Sequence, residues 1–306
     1  MSEQDKRRRT FWPGKEGNNG QPQGVLQKRT YSELSDDTQA SKPISLHVSR
    51  PALPVRVAKL DKSPWQDYVR LLSVNRGGRV TVAYNSNKSH KLVAISEISE
   101  CSREQLRDLR PLLHENIVVF TAAYFLDRSI YLIYDLLPVN LISVLNTPLG
   151  PLQVEDIATV CQGILRGIQF IHQELGIEYG ELKSENVLFN RGGLVKIANV
   201  GSLVLKDRRR SLERDIQAAG LLLLKMLEPD SSLLYPQSLQ LRRPSSCDPD
   251  ARDLMENFPT AEIKEILAHN FFLKSRGIQH LIPYVFVAEI LQQEAVDIVH
   301  DIDNSI

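Results

Sequence analysis

The sequence predicts an α+β chain, with most strands before residue 136 and most helices after it. Three observations carry this. Short β-branched and aliphatic runs, Val80-Thr81-Val82, Leu92-Val93-Ala94-Ile95 and Ser129 to Asp135, are separated by polar or glycine-bearing turns. Longer stretches with helical apolar spacing follow. In Val154 to Gln173, residues Ile157, Val160, Cys161, Ile164, Leu165, Ile168 and Ile171 form one stripe. Between the helices, Val187-Leu188-Phe189 and Leu194 to Ala198 flank Gly192-Gly193, a hairpin signal because glycine tolerates positive φ.

The totals bound the function. A length of 306 residues fits one large domain or two small ones. The net charge is zero, so no overall field favours nucleic acid or an acidic membrane. Cys101, Cys161 and Cys247 are odd in number and scattered, which points to a reducing, intracellular compartment, cytoplasmic or nuclear. The longest apolar run, Ala218 to Leu224, is far short of the ~20 residues of a membrane span. The N-terminus is too polar for a secretory signal.

Residues 1–62 read as a disordered tail dominated by Ser, Gln, Asn, Gly and Pro. Its Lys6-Arg7-Arg8-Arg9 run is either a solvated basic tail, a nuclear address or a determinant for modification of Thr10. Val69 to Ile98 reads as three strands, with Gly77-Gly78 bending the chain before the second. A helix is expected over Arg103 to Leu113, with Leu106, Leu109, Leu112 and Leu113 on its apolar face. Asp215 to Leu227 is apolar nearly all round and should be buried. Pro229 and Asp230 end it, 231–248 is a loop, and Asp250 to Phe258 is helical. For His172, core packing competes with a metal or catalytic role; no Cys, His or carboxylate cluster joins it in the sequence. A last helix spans about Tyr284 to Asp301, with Ala288, Leu291, Ala295, Ile298 and Ile302 as a short coiled-coil-like seam. That helix either packs back on the domain or meets a partner.

One stretch ties these elements together. Tyr179-Gly180-Glu181-Leu182-Lys183-Ser184-Glu185-Asn186, two short strands and Asn199-Val200-Gly201 resemble the catalytic and metal-binding loops of protein kinases, written H-R-D-L-K-x-x-N and D-F-G. Other stations agree in order and spacing from about Asp67 to Lys274. Gly78 and Val80 resemble the end of the glycine-rich loop, whose first two glycines are Ser73 and Asn75 here. Val93-Ala94-Ile95-Ser96 resembles V-A-I-K, with Ser96 at the phosphate-binding lysine. Counting back from His114-Glu115-Asn116-Ile117-Val118 places Gln105 at the helix glutamate. Pro259 to Phe272 resembles the family's closing R-P-T-A-x-E-[IL]-L-x-H-P-F, with Phe258 at its arginine. Only Ser202 to Arg214 separate Gly201 from the central helix, and no A-P-E is present.

The resemblance implies a two-lobed, protein kinase-like fold of the Ser/Thr branch. It implies a small β-rich N-lobe with one main helix, about 63–136, a larger helical C-lobe, about 137–275, and a helical extension, 276–306. It implies that Val80, Ala94 and Leu188 wall an adenine pocket. Glu181 stands at the catalytic base position and Lys183 beside it. Asn186 and Asn199 stand at the metal positions, Asn199 in place of aspartate. Asp215 would accept hydrogen bonds from the catalytic-loop backbone. Phe120, Leu109, Tyr179 and Val200 would form the apolar stack between the lobes.

Phosphoryl transfer depends on positioning and charge neutralisation. Ser96 cannot supply a positive charge, and a neutral amide is a poor ligand for a hard dication. The expected function is therefore a pseudokinase: a scaffold or allosteric binder of proteins, including active kinases, with helix 284–302 as a candidate contact. ATP is a possible ligand, and magnesium is not expected to bind normally. Two alternatives stand beside this, an atypical active Ser/Thr kinase using Glu181, Asn186 and Lys183, and a metal-independent ATP sensor.

Overall fold

Alternation along the early strands builds a six-stranded sheet of order β1-β5-β6-β4-β3-β2. The computed structural model describes residues 58–86, 90–109, 112–205, 213–229 and 239–303, with 107–108 and 294–303 described by backbone alone. The expected tail lies outside these residues up to position 57, with its basic run and Thr10. The sheet begins ahead of the expected boundary at 63, because β1 (Lys59–Leu60) pairs in parallel with β5 (Phe120–Leu126). The remaining pairings are antiparallel and join β2 (Tyr68–Asn75), β3 (Arg79–Asn85), β4 (Leu92–Ile98), β5 and β6 (Ser129–Asp135). Period-two alternation on β4 divides its residues between two cores. Val93 and Ile95 pack with Tyr68 and Tyr124 on one face, while Ala94 and Ile98 join the main core on the other.

A polar cluster pins the start of this sheet. Asp67 accepts from Lys59 Nζ at 2.7 Å, Lys62 Nζ at 2.8 Å and the Tyr124 hydroxyl at 2.8 Å. Burial alone would raise the Asp67 carboxyl, but these three donors outweigh it and hold the group well below the usual carboxylate range. A carboxyl depressed on folding stabilises the fold above its unfolded value, about 3.9, and the gain fades as pH falls toward the folded value. We expect Asp67→Asn to be less stable than the parent at pH 7. The gap should close as pH is lowered below 4, which urea unfolding at stepped pH measures.

Helix α1 (Arg103–Asp108) is shorter than the periodicity suggests. Leu109 is already extended at φ −68° and ψ 113°. Pro111 removes one helical N–H and disfavours helical backbone at the residue before it, which outweighs the leucine spacing. As a result Leu112 is buried while Leu113, expected on the same apolar face, is exposed.

The second half is helical, as expected. Strand β7 (Val139–Asn140) leads into α2 (Leu141–Leu145), and α3 (Val154–Glu174) is the long amphipathic helix. Strands β8 (Val187–Phe189) and β9 (Val195–Ile197) form the expected hairpin and complete a small sheet with β7. Then come α4 (Val200–Leu205), α5 (Glu213–Leu227), α6 (Pro249–Asn257), α7 (Ile263–Leu267) and α8 (Ile282–Asp303).

Helix α8 packs against α2 and β7, and its Val285 and Ala288 are buried. This corrects the expected seam. Leu281, Val285 and Ala288 face inward, whereas Leu291 is 40% exposed. The apolar positions offer two competing stripes, and the one that meets α2 is buried. The side chains of Ala295, Ile298 and Ile302 lie outside the described residues.

Candidate functional site

The hairpin β8–β9 and the loop before it form the floor of a cleft, and the sheet forms its roof. Tyr179 and Gly180 open the loop. Their N–H groups donate to Asp215 Oδ2 and Oδ1, both at 2.7 Å. His172 Nε2 lies 2.8 Å from Asp215 Oδ2, and the two side chains are 5% and 1% exposed. Asp215 thus accepts from the backbone at the start of this loop. It also gives His172 a structural task that spacing alone did not reveal, because α3 and α5 meet only in the folded chain.

Asn186 sits inside the loop, donating from Nδ2 to the Glu181 carbonyl at 2.7 Å, with its Oδ1 buried and unpartnered. Asn199 takes a left-handed backbone at φ +60°. Its Nδ2 donates to Glu181 Oε2 at 2.9 Å, and its Oδ1 accepts from the Ser202 hydroxyl. The two altered positions therefore occupy each other. An amide donor at 199 satisfies the carboxylate at 181, where a second carboxylate would repel it.

The roof comes down onto this floor at Gly77-Gly78. Both glycines have positive φ, at 67° and 100°. The Gly77 N–H donates to the Glu185 carbonyl at 3.1 Å. A Cβ on Gly77 would lie 2.3 Å from Ala198 Cβ, and one on Gly78 would lie 3.7 Å from the Asn199 amide carbon. Glycine at 77 is thus required by close approach, a signal visible in the sequence only as a turn. The next residue back locks the arrangement. Arg76 donates to the Leu137 carbonyl at 3.0 Å and to Gln292 Oε1 of α8 at 2.7 Å. Gln292 in turn bonds the Ser143 hydroxyl on α2.

Between roof and floor, Val80, Ala94, Leu188, Ser96 and Asn199 line one cavity, together with Tyr134 and Ala198. The structure thus brings together the expected apolar walls and two altered charge positions. The space left is about 30 Å³. That holds one or two waters, against roughly 300–1,000 Å³ for an ordinary ligand pocket. The Tyr134 hydroxyl is buried there without a partner. With Ser96 uncharged, Asn199 bonded to Glu181 and the glycine turn in the way, these residues do not fit a magnesium–nucleotide complex in this arrangement.

Gln105 is not among the residues lining that cavity. Its Oε1 accepts from the Ser102 N–H at 2.7 Å, closing a capping box at the start of α1, and its Nε2 donates to the Leu205 carbonyl of α4 at 2.8 Å. A glutamate could cap but could not make the second bond. Lys183 is exposed and lines a separate cavity below the loop. Of the expected stack, Phe120, Tyr179 and Val200 are buried and Leu109 is partly buried against the same core.

Comparison with known proteins agrees with this geometry. The family profile for the protein kinase domain matches residues 75–216. The chain is 25% identical over 154 residues to serine/threonine-protein kinase Tao of Drosophila melanogaster, covering 47% of this chain and 15% of that protein. It is 22% identical over 284 residues to serine/threonine-protein kinase CST20 of Candida albicans, covering 76% of this chain and 23% of that one. The match to leucine-rich repeat receptor-like protein kinase PXC1 of Arabidopsis thaliana is 27% over 183 residues, covering 50% of this chain and 27% of that one. The chain thus spans about a quarter or less of the length of these relatives. A β-sheet lobe over a helical lobe, with these stations at the cleft, makes the chain protein kinase-like in fold.

Proposed function

We propose that this protein kinase-like chain is a pseudokinase, acting in intracellular signalling as a scaffold or allosteric protein-binding module. The observation that carries the reading is the position of Gly77-Gly78 against Ala198 and Asn199, which leaves about 30 Å³ between the walls expected for adenine. The altered charges point the same way. Side-chain groups that would grip a triphosphate are either uncharged, as at Ser96, or bonded to one another, as at Asn199 and Glu181.

Binding of protein partners, with active kinases among them, would use surfaces outside the cleft. Helix α8 is a candidate contact, since Ile282, Phe286 and Ile290 are exposed at four-residue intervals beside its buried face. Phe286→Ser should leave folding unchanged and weaken capture of a partner that depends on residues 284–306. Equal capture by both would remove α8 from the reading.

Thermal unfolding with ATP, with and without magnesium, tests the central claim. We expect no shift in either condition. Magnesium-dependent stabilisation with autophosphorylation would establish an atypical kinase instead. Stabilisation by ATP alone would establish a metal-independent sensor, the reading that the intact apolar walls Val80, Ala94 and Leu188 favour second.

A further inference from the structure

We propose that the cavity below the catalytic-type loop is a binding site for an arginine side chain presented by a protein partner. This rests on the protein-binding role proposed above and gives that role a chemistry. The cavity measures about 250 Å³ and is lined by Glu178, Glu181, Lys183, Arg214 and Asp215 among others. Glu178 is 1% exposed, and both of its carboxyl oxygens lack a hydrogen-bond partner among the described residues. A buried carboxyl in this condition is costly, so it marks a place where a donor is missing.

The neighbouring carboxylates are already engaged. Asp215 serves the Tyr179 and Gly180 N–H groups and His172. Glu181 accepts from Asn199. Gly180, at φ +67°, has no side chain over the Glu178 carboxyl, and even a Cβ there would stand 3.7 Å from Oε1. Three carboxylates against two cations give the lining a net negative charge. Two free oxygens on one carboxyl match the planar fork of a guanidinium, which donates two parallel N–H bonds; an ammonium presents a single point charge.

The test uses the full chain and two short peptides, acetyl-Gly-Arg-Gly-amide and its citrulline counterpart, which keeps the shape and loses the charge. Calorimetric titration should show binding of the arginine peptide at least about tenfold tighter than the citrulline peptide, as a charge-assisted bidentate pair requires. Glu178→Gln should abolish that discrimination, and its thermal stability should equal or exceed the parent's. Arg214→Gln should retain the discrimination. Equal binding of the two peptides by the parent chain, or no binding of either, overturns the proposal even if the Glu178 variant fails to fold. Discrimination that survives Glu178→Gln also overturns it. None of these results bears on the nucleotide titration, so the site can fail while the pseudokinase reading stands.

Discussion

Asp215→Ala is expected to lower the stability of the folded chain by about 2–5 kcal/mol, since each buried donor left without its partner costs about 1–3 kcal/mol. The change orphans two backbone N–H groups at 2.7 Å and the His172 ring at 2.8 Å, around a carboxylate side chain that is 1% exposed. Native domains have only about 5–15 kcal/mol to lose, so the variant should be marginal at 37 °C. Urea unfolding measures this directly. His172→Ala should cost less, since Asp215 keeps both backbone donors. If Asp215→Ala lost under about 1 kcal/mol, well below the penalty for unsatisfied buried groups, the loop would not be held by this side chain.

Restoring kinase-type residues should damage the protein rather than repair it. Ser96 is 9% exposed and faces the 30 Å³ cavity, so a lysine there has little room, and the Asp135 carboxylate that also lines the cavity is paired with Lys91. We expect Ser96→Lys to cost about 3 kcal/mol or more, as for an unpaired buried charge. Gln105→Glu should not rescue it. The capping bond to Ser102 would survive, but a carboxylate would replace the donor facing the Leu205 carbonyl. Asn199→Asp would set a second carboxylate beside Glu181, 2.9 Å from the present amide nitrogen, at a cost of about 1–3 kcal/mol. Thermal unfolding of each variant and of the pair, with an ATP–magnesium titration, decides the matter. A pair as stable as the parent that bound ATP with magnesium would show the cleft to be a nucleotide site disabled only by charge.

These expectations separate local from distant causes. Period-two and period-3.6 spacing placed β2 to β4, β6, α3 and α5 correctly, because each depends on neighbours within one element. The order of the motif stations put Ser96, Asn199, Val80, Ala94 and Leu188 around one cavity. The resemblance also implied that Asp215 accepts from the loop backbone, and it does so from the Tyr179 and Gly180 N–H groups. Pro111 carried a visible warning against a long α1, which the leucine spacing masked.

By itself the sequence determined the longer helices, most of the strands and their order, and which charges are absent from the cleft. Tertiary structure alone decided that the cleft is closed. The Gly77 N–H reaches the Glu185 carbonyl, and Arg76 spans to Leu137 and Gln292, across separations no local pattern encodes. Tertiary structure also decided that Asn199 answers Glu181, that Gln105 turns to α4, and that Glu178 is buried with no partner among the described residues. The physical reason is common to all of these. A residue's type fixes what it can bond, while its partner is fixed by how packed elements bring distant backbone together.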